Sequence, residues 1–208
     1  MNRPVQRIVK HVLDRVCAVL FLCLLSPVLL TIAAAIVIES GRPALFVQPR
    51  VGYQGRLFRA YKFRTMVLGA EQIGLGVTVS ADDERITRIG AFLRMWSLDE
   101  LPQLLNVLKG EMSLIGPRPT LEYQVAQYTT FQRRRLEVKP GITGWAQVNG
   151  RNALPWNKRI ELDVWYVDHF SLWLDLQILY RTIGVYLRRE GLYGSGGVND
   201  DFVSGRRL

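Results

Sequence analysis

"VCAVLFLCLLSPVLLTIAAAIVI", residues 16–38, runs for 23 residues without a charge. A straight helix of that length would extend about 35 Å, against roughly 30 Å for the hydrocarbon core of a bilayer. A transmembrane crossing fits better than a cleaved signal peptide, because the apolar core is long and no small-residue cleavage site leads into a soluble chain. Two features oppose a simple crossing. Ser26-Pro27 falls in the middle, where proline removes a helix hydrogen bond and crowds the preceding turn, although a neighbouring serine hydroxyl can satisfy part of the freed backbone. Each half then spans only about 18 Å. Both flanks are also positive. Arg3, Arg7, Lys10 and Arg15 precede the run, opposed by Asp14; Glu39 follows it, then Arg42, Arg50, Arg56, Arg59, Lys62 and Arg64. Positive flanks belong in the cytoplasm. The expectation is a re-entrant helix–break–helix that enters one leaflet, bends at Ser26-Pro27 and returns; the alternative is a kinked helix that spans.

The rest of the chain carries a compatible charge. Of 208 residues 49% are hydrophobic and 22% charged, which excludes a disordered chain. The formal net charge is +9, and an excess of that size suits an anionic partner: nucleic acid, an acidic membrane or a phosphorylated substrate. Cys17 and Cys23 both lie inside the apolar run and read as small hydrophobes, and with only His11 and His169 besides, a zinc site is not expected.

Beyond the run the pattern predicts an α+β fold, mostly helical with a small β-hairpin. "ALFVQPRVGYQGRLFRAYKFRTM" (44–66) reads as that hairpin, with Gly52 and Gly55 bracketing its turn. Residues 69–84 read as an exposed loop. Residues 85–96 space Ile86, Ile89, Phe92, Leu93 and Trp96 at helical intervals with Arg85, Arg88 and Arg94 between them, as in a core-packing helix or one lying on a membrane interface. "LPQLLNVL" continues as a short helix, "IGPRPT" forms a rigid bend, and "TLEYQVAQYTTFQRRRLEV" is again helical. "KPGITGWAQVNGRN" (139–152) reads as a loop and "LPWNKRIELDVWYVDHF" as a helix. Ser171 caps a last helix reaching Arg189, with Leu172, Leu176, Leu179, Ile183 and Tyr186 on its stripe. Three parts follow: a membrane helix to residue 40, a membrane-associated domain over 41–190, and a frayed tail over 191–208.

Within the short helix, "SLDELPQ" places Asp99 and Glu100 side by side in a basic chain. Ser97-x-x-Glu100 is a capping box on its face, but a Ser97 cap would put Pro102 where a backbone bond is lost, so Asp99 is expected at the helix mouth. A carboxylate there stays ionised and can act as a nucleophile toward phosphorus, with Mg²⁺ held by one or two carboxylates to offset the phosphate charge. Lys62, Arg64, Arg94 and Arg118 are the candidates for further neutralisation, Arg118 being held between two prolines. Arg133, Arg134 and Arg135 read as a solvated or headgroup-facing surface, and Trp145, Trp156, Trp165 and Trp173 as core or interface anchors.

"KFRTM" (62–66), "LRMWSLDELPQLLNVLKGEMSLIGPRP" (93–119) and "KPGITGWAQVNGRN", in that order after an apolar run with Ser26-Pro27, resemble the bacterial sugar transferases, the monotopic phosphoglycosyl transferases in their minimal form. The resemblance covers almost the whole chain. It implies transfer of a sugar-1-phosphate from a UDP-sugar to polyprenyl phosphate with release of UMP, Asp99 serving as nucleophile through a covalent phospho-sugar intermediate. Glu100 would assist with metal and proton handling, Asp99 and Glu100 would bind Mg²⁺, and the membrane helix would be re-entrant with the catalytic domain on the cytoplasmic face of the bacterial inner membrane. Asn149 and Arg151 are assigned to the nucleotide or sugar. An amino sugar is the favoured cargo, and the oligomeric state is left open. A non-catalytic basic module that binds anionic lipid explains the charge but not Asp99-Glu100; no nucleic-acid motif is present.

Overall fold

A computed structural model describes residues 3–73, 78–80, 82–188, 191, 194 and 198–199. It opens with α1, Arg3–Ser40, a single helix with Pro27 inside it. Where the sequence suggests two half-helices, the helix is continuous. Ser26 Oγ donates to the Cys23 carbonyl (2.8 Å) and Thr31 Oγ1 to the Pro27 carbonyl (2.8 Å), so hydroxyls bond to backbone carbonyls of the turns on either side of the proline.

Helix α1 is not a core helix. Its most apolar window has a mean hydropathy of 2.7 and is only 6% buried, leaving Leu20, Leu24, Leu30 and Ile38 exposed. One narrow stripe nevertheless packs on the rest of the chain. Lys10, Asp14 and Ala18 are buried near its start and Ile36 near its end, spaced by multiples of four or close to it, the stacking interval of a helix face. Lys10 Nζ donates to Asp175 Oδ2 (2.7 Å), and Asp14 Oδ1 accepts from the Leu114 amide (3.1 Å). At the other end Glu39 accepts from the Ile89 amide (3.1 Å), and Arg64 donates to the carbonyls of Ser40 (2.8 Å) and Gly41 (2.6 Å). Both ends of the apolar helix are thus tied to one globular body.

That body begins with the expected hairpin: β1 (Leu45–Val51) and β2 (Leu57–Phe63), antiparallel, with Leu45 opposite Phe63 and Phe46 opposite Lys62. Phe63 packs with Ile36 and Leu93, while Phe58 and Ala60 join Ala18, Leu104, Val107 and Met112. Residues 69–84 are less open than expected. Arg85 is buried and donates to the carbonyls of Ala70 (2.7 Å), Ile73 (2.8 Å) and Thr78 (2.7 Å) and to Asp83. A short strand β3 (Val79–Ser80) lies in this segment.

The amphipathic helix is α2, Arg88–Met95, capped by Thr87, whose Oγ1 accepts from the Gly90 amide (2.9 Å). Leu93 faces inward while Phe92 and Met95 are exposed. Gly90 is required by contact: a Cβ there would sit 2.0 Å from the Thr65 carbonyl oxygen. Backbone cannot yield as a side-chain tip does, so Gly90→Ala should destabilise the protein by about 1–3 kcal/mol through overpacking, read as a lowered Tm in detergent.

After α2 a 3-10 segment, Leu98–Gln103, leads into α3 (Leu104–Lys109), then β4 (Ser113–Ile115), α4 (Glu122–Ala126) and α5 (Thr130–Arg133). The stretch read as one helix over 120–138 is therefore broken. The stretch read as a loop over 139–152 contains β5 (Gly141–Thr143), paired parallel to β4, and one helical turn, α6 (Trp145–Val148). Glycine suggested a loop, but here it serves close approach: a Cβ on Gly141 would lie 2.0 Å from the Gly116 nitrogen.

Helices α7 (Trp156–His169) and α8 (Leu172–Arg188) complete the body. Ser171 caps α8 as expected, accepting from the Leu174 amide (3.1 Å); Arg189 falls outside the described residues. The apolar stripe named from the sequence is not the core face. Leu176, Leu179 and Ile183 are exposed, and the core face is Leu174, Ile178 and Val185. The inner side of α8 is the one that carries Asp175, held by the buried Lys10 and by the Tyr166 hydroxyl (2.7 Å). In the tail, β6 (Val198–Asn199) pairs antiparallel with β3, where fraying was expected.

Candidate active site

An open cavity of about 1250 Å³ is lined by the hairpin, the 3-10 segment, the Gly-Pro-Arg-Pro turn and the α6–α7 region, with Asp99 and Glu100 on its wall. The two acids differ sharply. Glu100 is buried, and its Oε1 accepts from Lys62 Nζ (2.8 Å) and Arg118 Nη2 (2.5 Å), its Oε2 from Arg118 Nη1 (3.0 Å). Burial alone would raise its pKa, but Arg118 and then Lys62 overcome that and hold it well below the usual carboxylate range. Asp99 is partly exposed to the cavity and, among the described residues, makes no hydrogen bond or ion pair.

The local backbone explains the difference. The segment starts two residues earlier than expected: Ser97 occupies the cap position with φ +54°, a left-handed conformation rare for serine, and its side chain caps nothing. The capping box does not form, because the Glu100 carboxylate turns to Lys62 and Arg118. Pro102 lies inside a 3-10 turn, so the chain forgoes one bond there instead of shifting the cap to Asp99. Asp99 lies in the first turn of the segment and not at its cap. Desolvation pushes its pKa up, Lys62 draws it down, and Glu100 adds to the rise.

Around the pair stand several cations. Lys62 is lowered from its ordinary pKa by desolvation, which Glu100 opposes; Arg118 is raised, chiefly by Glu100. Arg94 lines the cavity and its Nε donates to Thr65 Oγ1 (2.8 Å). Arg151 lines it too, its Nη2 donating to Ser97 Oγ (3.0 Å) and its guanidinium lying 4.9 Å from the Tyr186 ring centre. Lys62, Arg94, Arg118 and Arg151 thus converge as expected.

Arg64 lines the cavity as well, with its Nε and Nη1 buried and without a hydrogen-bond partner, while its Nη2 donates to Ser40 and Gly41 and anchors the end of α1. Replacing it by Met should lower Tm, since the contacts to the end of α1 are lost. Asn149 Nδ2 donates to the Trp145 carbonyl (2.7 Å), and its side chain holds the α6 turn instead of facing the cavity. Ser26 and Pro27 lie in α1, away from the cavity wall.

Three residues were not foreseen. Arg50 lines the cavity, donates to Gln48 and to the Pro119 carbonyl (3.4 Å), and is lowered to about 10 by burial and the nearby Arg118. It lay in a strand, where nothing distinguished it from other flanking arginines. Arg135, read as part of a surface run, is buried. Its Nη2 donates to the Arg118 carbonyl (2.8 Å) and to Asp163 Oδ2 (2.6 Å), its Nη1 to the Tyr128 hydroxyl (2.8 Å). Arg134 reaches Asp168 instead. Tyr186 arrives from α8, over eighty residues from the acids.

A carboxylate without a partner among the described residues thus stands in a cavity lined by cations, in a chain that also carries an exposed apolar helix. The family model described as bacterial sugar transferase matches residues 5–189, and the chain belongs to that family. An uncharacterized sugar transferase, EpsL, of Bacillus subtilis is 46% identical over 95% of this chain and 96% of its own length. The undecaprenyl-phosphate galactose phosphotransferase of Salmonella typhimurium is 39% identical over 90% of this chain, and the UDP-glucose:undecaprenyl-phosphate glucose-1-phosphate transferase of Escherichia coli 41% identical over 86%. This chain spans only 42% and 40% of those two.

Proposed function

We propose that this protein is a phosphoglycosyl transferase that moves a sugar-1-phosphate from a UDP-sugar to undecaprenyl phosphate, opening the membrane phase of a glycan pathway. The observation that carries the reading is the asymmetry of the dyad: Asp99 is unpartnered and faces the cavity, while Glu100 is fixed by Lys62 and Arg118. The relatives' printed donors and acceptors agree with it.

An Asp99 oxygen attacks the sugar-bearing phosphorus of the donor; the bond from that phosphorus to the bridging oxygen breaks, and UMP leaves with the electron pair. A phosphate oxygen of the polyprenyl acceptor then attacks the same phosphorus, and the aspartyl–phosphorus bond breaks to restore Asp99. Two in-line displacements replace one difficult encounter between two bulky anions. Lys62, Arg118, Arg94 and Arg151 neutralise the phosphates, and Glu100 holds the first two of these in place.

The acids also fit Mg²⁺. A carboxylate offers about four lone pairs, and Glu100 uses three, leaving one on Oε2 beside the unpartnered Asp99. Among the described residues no group of three metal-ligating side chains exists, which suits an ion completed by substrate phosphates and water. When bound, Mg²⁺ would offset the charge of the diphosphate.

A re-entrant course for α1 is supported by the ties at both its ends to one body, Lys10 to Asp175 and Ser40 to Arg64. A polyprenyl phosphate keeps its chain in lipid and its phosphate at headgroup level, so the cavity belongs at the inner face of the cytoplasmic membrane. The exposed Phe92, Trp173 and Ile183 can rest there. The test is to incubate the detergent-purified protein with Mg²⁺ and UDP-galactose, UDP-glucose and UDP-N-acetyl amino sugars, and look for UMP and for a sugar-phosphate mass on Asp99. A basic lipid-binding module would yield neither.

A further inference from the structure

Gln147, on α6, is 8% exposed, and neither its carboxamide oxygen nor its nitrogen has a hydrogen-bond partner. Leaving such atoms buried and unpaired costs about 1–3 kcal/mol each, so a native position of this kind calls for an explanation. Asp163, 2% exposed on α7, has the same feature on one atom: Oδ2 accepts from Arg135, and Oδ1 accepts from nothing. Both residues line the wall of the cavity that holds Asp99, and Trp156 and Arg159 line it with them, the guanidinium 4.7 Å from the indole centre. A donor, two acceptors and a flat cationic–aromatic surface therefore share one wall.

From this arrangement we infer that the α6–α7 wall is the nucleobase subsite, with the Gln147 carboxamide pairing to the amide-like edge of uracil. Uracil presents an N3–H donor beside a carbonyl acceptor. A carboxamide is its complement: Oε1 accepts from N3–H, and Nε2 donates to O4. The terminal torsion of glutamine is soft, so a small rotation presents that edge to the cavity. Asp163 Oδ1 is then an acceptor for a ribose hydroxyl, and the Trp156–Arg159 surface is a place for the base to lie flat. The alternative ligands for this wall are poorer matches: a sugar has hydroxyls but no planar donor–acceptor edge, and a lipid tail would leave all three atoms unsatisfied. Gly144 leaves room for the Gln147 carboxamide, since a Cβ there would fall 3.0 Å from its Oε1.

This inference rests on the donor being a uridine nucleotide, as proposed above, and its test separates the two. The wild-type protein in nanodiscs is assayed for UMP release from a UDP-sugar, then for inhibition of that release by UMP and by N3-methyl-UMP, which lacks the donor. N3 methylation should weaken inhibition at least about tenfold. In Gln147→Leu the UMP inhibition constant should rise to meet that of the methylated analogue, so that the two inhibit alike. A merely structural Gln147 would lower activity without closing that gap. Equal inhibition by both analogues in the wild type, which needs no variant to fold, overturns the inference, as does a gap that survives in folded Gln147→Leu. No UMP from any UDP-sugar would instead remove the functional reading itself.

Discussion

Asp99→Asn protein, folded and inserted, should lose transferase turnover by about 10⁴-fold or more, because an amide oxygen cannot replace a carboxylate as nucleophile toward phosphorus. The covalent sugar-phosphate adduct should vanish with it, and donor binding should survive or improve, since one negative charge leaves a cavity that receives a diphosphate. Substitution at Glu100 should behave differently. Glu100→Gln keeps the nucleophile but releases Lys62 and Arg118, whose partner it is. Its adduct should still form, slowly. The pair of variants separates attack from positioning, and it is read by intact-protein mass spectrometry with donor alone. Native turnover in Asp99→Asn would end the covalent reading.

The second large effect lies out of sight of the substrate. Arg135 and Asp163 form a buried pair, each 3% exposed at the side chain, and Arg135 also holds the carbonyl of Arg118. Removing one partner of such a pair leaves a buried charge and typically costs about 3–5 kcal/mol. Arg135→Leu should therefore unfold at a markedly lower Tm. Replacing both, as Arg135→Met with Asp163→Leu, should recover much of that stability, because two apolar groups of similar volume need no solvation. Activity should not recover with it: the turn carrying Arg118 would have lost its anchor, and Asp163 Oδ1 its place in the wall. Stability restored and turnover still low is the expected outcome, measured by thermal unfolding and UMP release on the same preparations. Turnover restored along with stability would show that Arg135 does no more than hold the core.

Arg135 also shows where local reading stops. Three consecutive arginines look alike in the sequence, and the tertiary fold sends one to Asp168, one into the core and leaves Arg133 exposed. Arg64 teaches the same lesson in reverse. It lines the cavity with Lys62, but its tie to Ser40 and Gly41 at the end of α1 comes from a part of the chain that its own motif does not announce. The inward face of α8 has a related cause: it carries an acid, Asp175, whose partner is a lysine 165 residues away, and no local pattern reveals that pairing.

What the sequence determined alone was whatever depends on near neighbours. A chargeless run of 23 residues must find an apolar surrounding. The hairpin followed from two β-prone runs around glycines, and the adjacency of Asp99 and Glu100 is covalent. Tertiary structure decided everything that depends on who arrives from elsewhere. Lys62 and Arg118 claim Glu100 and so leave Asp99 unpartnered; desolvation in the folded cavity pushes the Asp99 pKa up; glycines that look like loop formers serve backbone contact between β4 and β5. Charge and burial act across space over a few ångströms, and the one-dimensional chain records only which groups are available to meet.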